Sequence, residues 1–336
     1  MPFVIDNTRL IAMSTIYDVA KLANVSAMTV SRALNDPDKV RPASRKRIEE
    51  AIAQLGYKKN QAARALVTKT TGIVKIVMAE SLEMQDPYFT SLFAGISDAL
   101  SEKSIAQMVV KDASSHIKCD GMIVMGIKAD QKVELAEFPS PVVIFGKVSE
   151  KADWVDVNNT HGSYIATKHL IDLGHKRIAF FKFDSDEPFI GEREAGYRHA
   201  MTEAGLPVED NWIITGFANN VVSAREAAMR ALRTLDITGM VCTSDMAGMG
   251  VTQAAKELNI SIPEQLSVTG FDGVGVDLMC DPRLTTVRQP VFSIGRRLGE
   301  LLIMRLKNKE KDYVFCHEEI MTDLIVRDST ARLPQP

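Results

Sequence analysis

The segment from Ile16 to Asn35, IYDVAKLANVSAMTVSRALN, leaves little room for anything but two short helices joined by a tight turn. Thr15 is placed as an N-cap, with Asp18 completing a capping box, and Val19, Ala20 and Leu22 supply the inward face of the first helix. Asn24 and Val25 make the turn. Ser26 caps the second helix, whose Val30, Ala33 and Leu34 pack inward while Ala27, Met28, Thr29, Ser31 and Arg32 face outward. That outer face suits a DNA major groove: hydroxyls take phosphates, the arginine takes guanine edges, and small or apolar groups meet thymine methyls. The plainer alternative is a helical hairpin with solvated hydroxyls.

Charge argues against that alternative. Residues 1–70 hold 12 Lys or Arg against 6 Asp or Glu, whereas the rest of the chain holds 28 against 37. A basic front fit for phosphate and an acidic remainder that repels DNA point to two modules. A third helix, Ala43 to Leu55, carries Ile48, Ala51, Ile52 and Leu55 at helical spacing and closes on Gly56. Beyond it, Tyr57 to Gly72 offers Asn60 as the cap of a helix ending near Leu66, too short to hold alone. On DNA, Ala62, Ala63 and Ala65 would allow close backbone approach and Leu66 would wedge between base pairs from the minor groove; off DNA the segment reads as a linker.

The remaining chain, roughly 260 residues, fits two domains. Apolar runs typical of buried parallel strands occur at Gly72 to Ala79, Gln107 to Val110, Gly121 to Met125 and Pro141 to Phe145. A second series comprises Arg177 to Phe181, Trp212 to Gly216, Met240 to Ser244 and Leu266 to Asp272. Helical stretches lie between them at Phe89 to Lys103, Gly162 to Leu173, Arg193 to Ala204, Ala224 to Leu235 and Met246 to Leu258. The expected architecture is an N-terminal all-α helix-turn-helix head followed by an α/β body of two doubly wound parallel-sheet subdomains. Ligands of such sheets sit beyond the carboxyl ends of the strands, so the cleft between the subdomains is the expected small-molecule site.

Several classes are disfavoured. No apolar run reaches the ~20 residues of a membrane helix, and residues 1–13 form a short leader, expected to be disordered or a start-site extension, without the length of a signal peptide. Cys119, Cys242, Cys280 and Cys316 are widely spaced and read as reduced cytoplasmic thiols; Cys316 and His317 would point to opposite faces of a strand, so no metal is expected there. GFDGVG at Gly270 to Gly275 lacks the three-glycine dinucleotide fingerprint, and no serine, histidine and acid set falls on a nucleophile turn. Neither a cofactor nor catalysis is expected. A sugar-binding protein of the transport type suits the body but leaves the basic head without a purpose.

From Thr15 onward the chain resembles the lactose-repressor and galactose-repressor family of bacterial transcription regulators. The resemblance rests on DVAKLANVSAMTVSRALN, LGYKKNQAARAL, REAG at Arg193 to Gly196, SDMAGMGV, the VTGFD strand end, and LTTVRQP at Leu284 to Pro290. It implies a cytoplasmic homodimer that reads near-palindromic operator DNA, and a periplasmic-binding-protein-like body that holds a small-molecule effector, most often a sugar. By resemblance Thr15, Tyr17, Thr29 and Ser31 fall at phosphate-contacting positions, Ala27, Met28 and Arg32 at base-reading positions, and Leu66 at the intercalating lever. For the effector the resemblance implies Tyr88, Phe89, Arg193, Ser244 or Asp245, Asp272 and Gln289. The corresponding division is a head over residues 14–58, a hinge over 59–71, a body over 72–330 and a tail over 331–336.

Three departures from the family pattern stand out. Lys59 replaces the usual proline, and Arg41 replaces the serine that usually caps the third helix. Only ten residues, KDASSHIKCD, join the strands ending at Val110 and starting at Gly121, where the family places a full helix. One sheet face of the first subdomain is therefore expected to lose cover, weakening that subdomain.

Overall fold

The structure, a computed structural model, describes residues 14–57, 70–78, 86–111, 117–126, 140–148, 152–308 and 313–333. The leader and the hinge residues Asn60, Ala63 and Leu66 lie outside the described residues. The chain separates into two units, Met1–Thr70 and Thr71–Pro336.

The first unit holds α1 (Ile16–Leu22), α2 (Ala27–Asn35) and α3 (Pro42–Leu55). The Thr15–Asp18 capping box forms in full, and the Asp18 carboxylate accepts from both the Thr15 amide (2.8 Å) and its hydroxyl (2.7 Å). These bonds hold the Asp18 carboxyl below its ordinary range. Asn24 takes the turn at φ 52°, a conformation asparagine tolerates better than most residues, and Ser26 caps α2 by accepting from the Thr29 amide at 3.1 Å. Val19, Ala20, Ala23, Val30, Ile48 and Ala51 make the core. Leu22 does not join it and is 45% exposed. At 3.6 residues per turn it lies roughly 110° from the centre of the face formed by Ile16, Val19, Ala20 and Ala23, so Ala23 takes the place expected for it. Arg41 supplies no side-chain cap to α3, which starts instead on Pro42 and closes on Gly56 at φ 57°.

The second unit is built of two lobes. In the first, strands β1 (Ile73–Met78), β2 (Ala106–Val110), β3 (Gly121–Met125), β4 (Val142–Phe145), β5 (Asp153–Val157) and β11 (His317–Ile320) form an all-parallel sheet in the order β11-β5-β4-β3-β1-β2. Helices α4 (Pro87–Ser101) and α10 (Val291–Lys307) cover one face, burying Val74, Ile76, Ile123 and Val143 against Leu92, Ile96, Ile294 and Leu298. In the second, β6 (Ile178–Phe181), β7 (Ile213–Ile214), β8 (Gly239–Cys242), β9 (Ser267–Asp272), β10 (Thr285–Arg288) and β12 (Asp323–Ile325) run in the order β12-β10-β9-β8-β6-β7, with only β12 antiparallel. Helices α5 (Asn159–Asp172) and α6 (Pro188–Glu203) lie on one face and α7 (Val221–Thr234) and α8 (Asp245–Glu257) on the other: Phe271 points to Gly162 of α5, and the adjacent Gly270 faces Asp245 of α8. A short α9 (Val276–Met279) follows β9.

The chain passes between lobes three times, after β5, after β10 and between β11 and β12. Strands β5, β10 and β12 and helices α9 and α10 were not foreseen in the sequence; the strand-like run at Cys316 and His317 is β11, which begins at His317; and the strand expected over Trp212 to Gly216 is reduced to two residues behind a 3-10 turn, Asp210–Trp212.

Strands β2 and β3, joined by the ten-residue connection, lie on opposite sides of β1. Residues 112–116 lie outside the described residues, and the described flanks of the connection carry no helix. On the sheet face away from α4 and α10, Val77, Met122 and Val124 form a small cluster bordered by Val110, Cys119 and Val142. Asp120 ties the end of the connection to the start of β1, accepting from Thr71 N (2.6 Å) and Gly72 N (2.7 Å).

The second lobe shows why the REAG motif ends in glycine. A Cβ on Gly196 of α6 would fall on the carbonyl oxygen of Thr160, so α5 and α6 approach to backbone contact there. Gly196→Ala is expected to destabilise the body by about 1–3 kcal/mol. Gly191→Ala, one turn earlier on open surface, is expected to stabilise it by up to about 1 kcal/mol. Urea denaturation checks both, and equal effects would contradict the packing argument. Val77, Met122 and Val124 are only 8%, 3% and 9% exposed, so this face is shielded from solvent and the loss of cover expected from the short connection does not occur. Replacing residues 111–120 with a connection that contains a helix is therefore expected to leave the melting temperature of the body unchanged, and a rise of several degrees would show that the short connection costs stability.

Candidate functional site

On the head, Tyr17 and Met28 are the most exposed large apolar side chains, at 73% and 71%. Thr15 and Arg32 are exposed, and Thr29 and Ser31 are half-buried. The Thr29 hydroxyl shares a 2.8 Å hydrogen bond with Ser26. Ala27, expected on the outer face, is half-buried and packs on the head core, so it presents less surface than its neighbours. Arg45 of α3 is engaged by Glu49 at 2.9 Å and by Asp38.

In the second unit, the carboxyl ends of both sheets face a cavity of about 510 Å³ between the lobes. The first lobe contributes Asp86, Tyr88, Phe89, Phe145, Lys147 and Asp156, and the second contributes Phe183, Asp184, Phe189, Arg193, Asn219, Ser244 and Asp272, with Gln289 on the second crossing. Tyr88, Phe89, Arg193, Ser244, Asp272 and Gln289 are thus brought to one cavity.

Arg193 is 5% exposed. Its Nε donates to Asn159 Oδ1 at 2.9 Å and its Nη1 to the Thr243 carbonyl at 2.5 Å. The guanidinium lies between Phe271, 3.5 Å from the ring centroid, and Phe189, 4.7 Å away, with Asp272 Oδ1 at 3.9 Å. Burial works against its charge, and the carboxylate of Asp272 restores part of it. Asp272 sits at φ 118°, a left-handed conformation uncommon for a residue with a Cβ. It accepts from Gln289 Nε2 at 2.9 Å, and Gln289 Oε1 accepts from the Tyr88 hydroxyl at 3.0 Å. This relay joins the second lobe to the first.

Asp245 departs from the expectation. It is 1% exposed and does not line the cavity; its oxygens accept from Gly273 N (2.7 Å) and the Thr286 hydroxyl (2.5 Å), bracing the loop after β9 from beneath. Ser244 lines the cavity, but its oxygen caps α8 and its hydroxyl donates to Asn219 Oδ1 at 2.6 Å. Phe89 stands edge-on to Tyr88 at 5.4 Å and packs partly on the first-lobe core.

Sequence reasoning missed Phe145, Lys147, Asp156, Asn159, Phe183 and Asn219. The placing of Phe145 at the end of the strand Pro141 to Phe145, and of Lys147 just past it, was the available signal for two of them, since ligands gather at strand ends. Asp156 and Asn159 belong to a strand and a crossing that polar residues disguised.

Burial pushes the Asp272 carboxyl up to about 7 against the pull of Arg193, and pushes Asp156 up to about 6. Burial, reinforced by the neighbouring Asp272 charge, holds Asp245 well above the carboxylate range. A carboxyl whose pKa is raised on folding stabilises the protein fully below its unfolded value, about 4, and that contribution is lost as pH rises through the folded value. Asp272→Asn keeps the acceptor for Gln289, and asparagine tolerates the positive φ. It is expected to flatten the fall in stability between about pH 4 and about 7. Parallel pH profiles for parent and variant, measured by calorimetry, would contradict the assigned electrostatics.

Among the described residues no group of acids, histidines and cysteines could hold a metal ion, and no helix is long and apolar enough to cross a membrane.

A basic trihelical head and a separate two-lobed body enclosing a polar and aromatic cavity define a ligand-responsive DNA-binding protein. Comparison with known proteins agrees. Residues 15–60 match the bacterial regulatory proteins of the lacI family, and residues 167–330 match a periplasmic binding protein-like domain. The chain is 38% identical over 323 residues to the HTH-type transcriptional regulator YvdE of Bacillus subtilis, covering 95% of this chain and all of that protein. It is 32% identical to the transcriptional regulator CelR of Thermobifida fusca, covering 94% of this chain and 98% of that one. A CelR–cellobiose complex superimposes with a TM-score of 0.70 at 28% identity, covering 94% of this chain and 99% of that one. The chain belongs to the lacI family of bacterial regulatory proteins and is a helix-turn-helix transcriptional regulator.

Proposed function

We propose that this regulator is a cytoplasmic repressor that binds a near-palindromic operator as a homodimer, and that a neutral sugar held between the lobes changes its operator affinity. On the head, Thr15, Tyr17, Thr29 and Ser31 take phosphates, Ala27, Met28 and Arg32 read bases, and Asn60, Ala63 and Leu66 serve the hinge. The exposure of Tyr17, Met28 and Arg32 supports those roles. Body and head are coupled by linkage: the effector alters lobe closure, and closure biases the state of the DNA-binding half.

The choice of ligand class rests on the balance of the cavity wall. Asp86, Asp156, Asp184, Glu187 and Asp272 face it against Lys147 and Arg193. An excess of acids disfavours phosphates and carboxylates, whereas a guanidinium, carboxylates and amides arrayed beside Tyr88, Phe145, Phe183 and Phe189 suit a molecule with many hydroxyls and apolar ring faces. The cellobiose bound to the related CelR supports the same class.

A thermal-shift panel of neutral mono- and disaccharides, sugar phosphates and purine bases tests this reading. At a hundredfold excess over its dissociation constant a true effector adds about 2.7 kcal/mol to stability. Stabilisation by neutral sugars alone is expected; stabilisation by the phosphates or the purines instead would contradict it.

A further inference from the structure

Lys147, just beyond β4 in the first lobe, meets two acids. Its ammonium pairs with Glu319 of β11 in its own lobe and, at 3.5 Å, with Glu192 of α6 in the second lobe. Its backbone N–H donates to Asp156 Oδ2 at 3.1 Å, which fixes where the side chain starts. On the far side, Glu192 Oε2 accepts from Asn159 Nδ2 at 3.2 Å, and Asn159 in turn accepts from Arg193. The side chains of Lys147, Glu192 and Glu319 are 33%, 25% and 35% exposed, less solvated than an ordinary surface pair. Glu192 does not line the cavity, so an effect of Glu192 on ligand binding cannot come from touching the ligand.

We infer that Lys147 and Glu192 form a latch across the cleft, a positioning pair that favours the closed arrangement of the lobes and links closure to Arg193 through Asn159. The inference rests on the reading of the cavity as an effector site. An ion pair made only when the lobes are together stabilises the closed state and not the open one, so it raises the population competent to enclose a ligand.

The test uses the full chain with dyes carried by unnatural amino acids at the exposed Lys103 and Lys256, one on each lobe, and reads inter-lobe distance by energy transfer. Lys147→Met and Glu192→Gln are each expected to shift the distribution towards longer distances without any sugar present. The double variant is expected to go no further than either single one. Glu319→Gln removes the first-lobe partner of Lys147 while keeping an acceptor for Asn158 Nδ2, which Glu319 Oε2 binds at 3.2 Å, and is expected not to lengthen the distance. For whichever neutral sugar the thermal panel identifies, Glu192→Gln is expected to weaken affinity about three- to fivefold, and added salt to weaken binding by the parent more than by the variant. Unchanged distances in both latch variants, or equal lengthening by Glu319→Gln, would overturn the latch. A parent protein that binds no neutral sugar yet shows the expected distance shifts would contradict the ligand assignment and leave the latch standing.

Discussion

The body is organised around one buried charge. A guanidinium out of water is tolerated only when its hydrogen bonds and counter-charge are supplied by the protein, and Arg193 recruits them from the start of α5, the end of β8 and the end of β9, while Phe271 and Phe189 fill the two faces of the fork. Those groups come from segments distant in sequence, so satisfying Arg193 fixes where the strand ends and helix starts must lie. The relay from Asp272 through Gln289 to Tyr88 then extends the same network to the first lobe. A cavity whose wall is already hydrogen-bonded to itself is preorganised for a ligand that competes for the same groups.

Such a wall has a cost in stability. Asp156 and Asp272 in the wall, and Asp245 beneath it, are each pushed towards the neutral form by burial, and a carboxyl held that way favours folding less at neutral pH than one left in solvent. Helices cover both faces of the second sheet, while among the described residues the first sheet has α4 and α10 on one face and only the small Val77, Met122 and Val124 cluster on the other. The first lobe contributes Lys147 and Tyr88 to the contacts across the cleft.

Much of this architecture was legible because its elements are locally consistent. The head reads from its caps, and strands such as β3 and β4 read from unbroken apolar runs. The missed elements are those where tertiary contacts override local chemistry. Strand β5, DWVDV, begins with an aspartate that is fully buried, yet Tyr313 Oη and the Cys316 amide both donate to Asp153 Oδ1, at 2.9 and 2.8 Å, and Arg305 lies 3.8 Å from Oδ2. Helix α10 contains Gly295 and Gly299, poor helix formers; a Cβ at Gly295 would fall on the Leu92 carbonyl, so α4 demands what propensity disfavours. At the site, Arg193 and Gln289 were carried by motifs, whereas Asp245 occupies a motif position and braces the cavity from below. No local pattern distinguishes a residue that lines a wall from one that supports it.

The central claim is that occupation of the Arg193 cavity governs the grip of the head on DNA. The most direct measurement is fluorescence anisotropy of a labelled operator duplex, selected from a random pool, titrated with the full chain with and without saturating effector. The account predicts at least a fivefold change in operator affinity on adding effector, within the ~5- to 150-fold range of allosteric coupling, and its loss in Arg193→Lys with effector-free affinity retained. Operator affinity that does not respond to a ligand shown by calorimetry to occupy the cavity would contradict it.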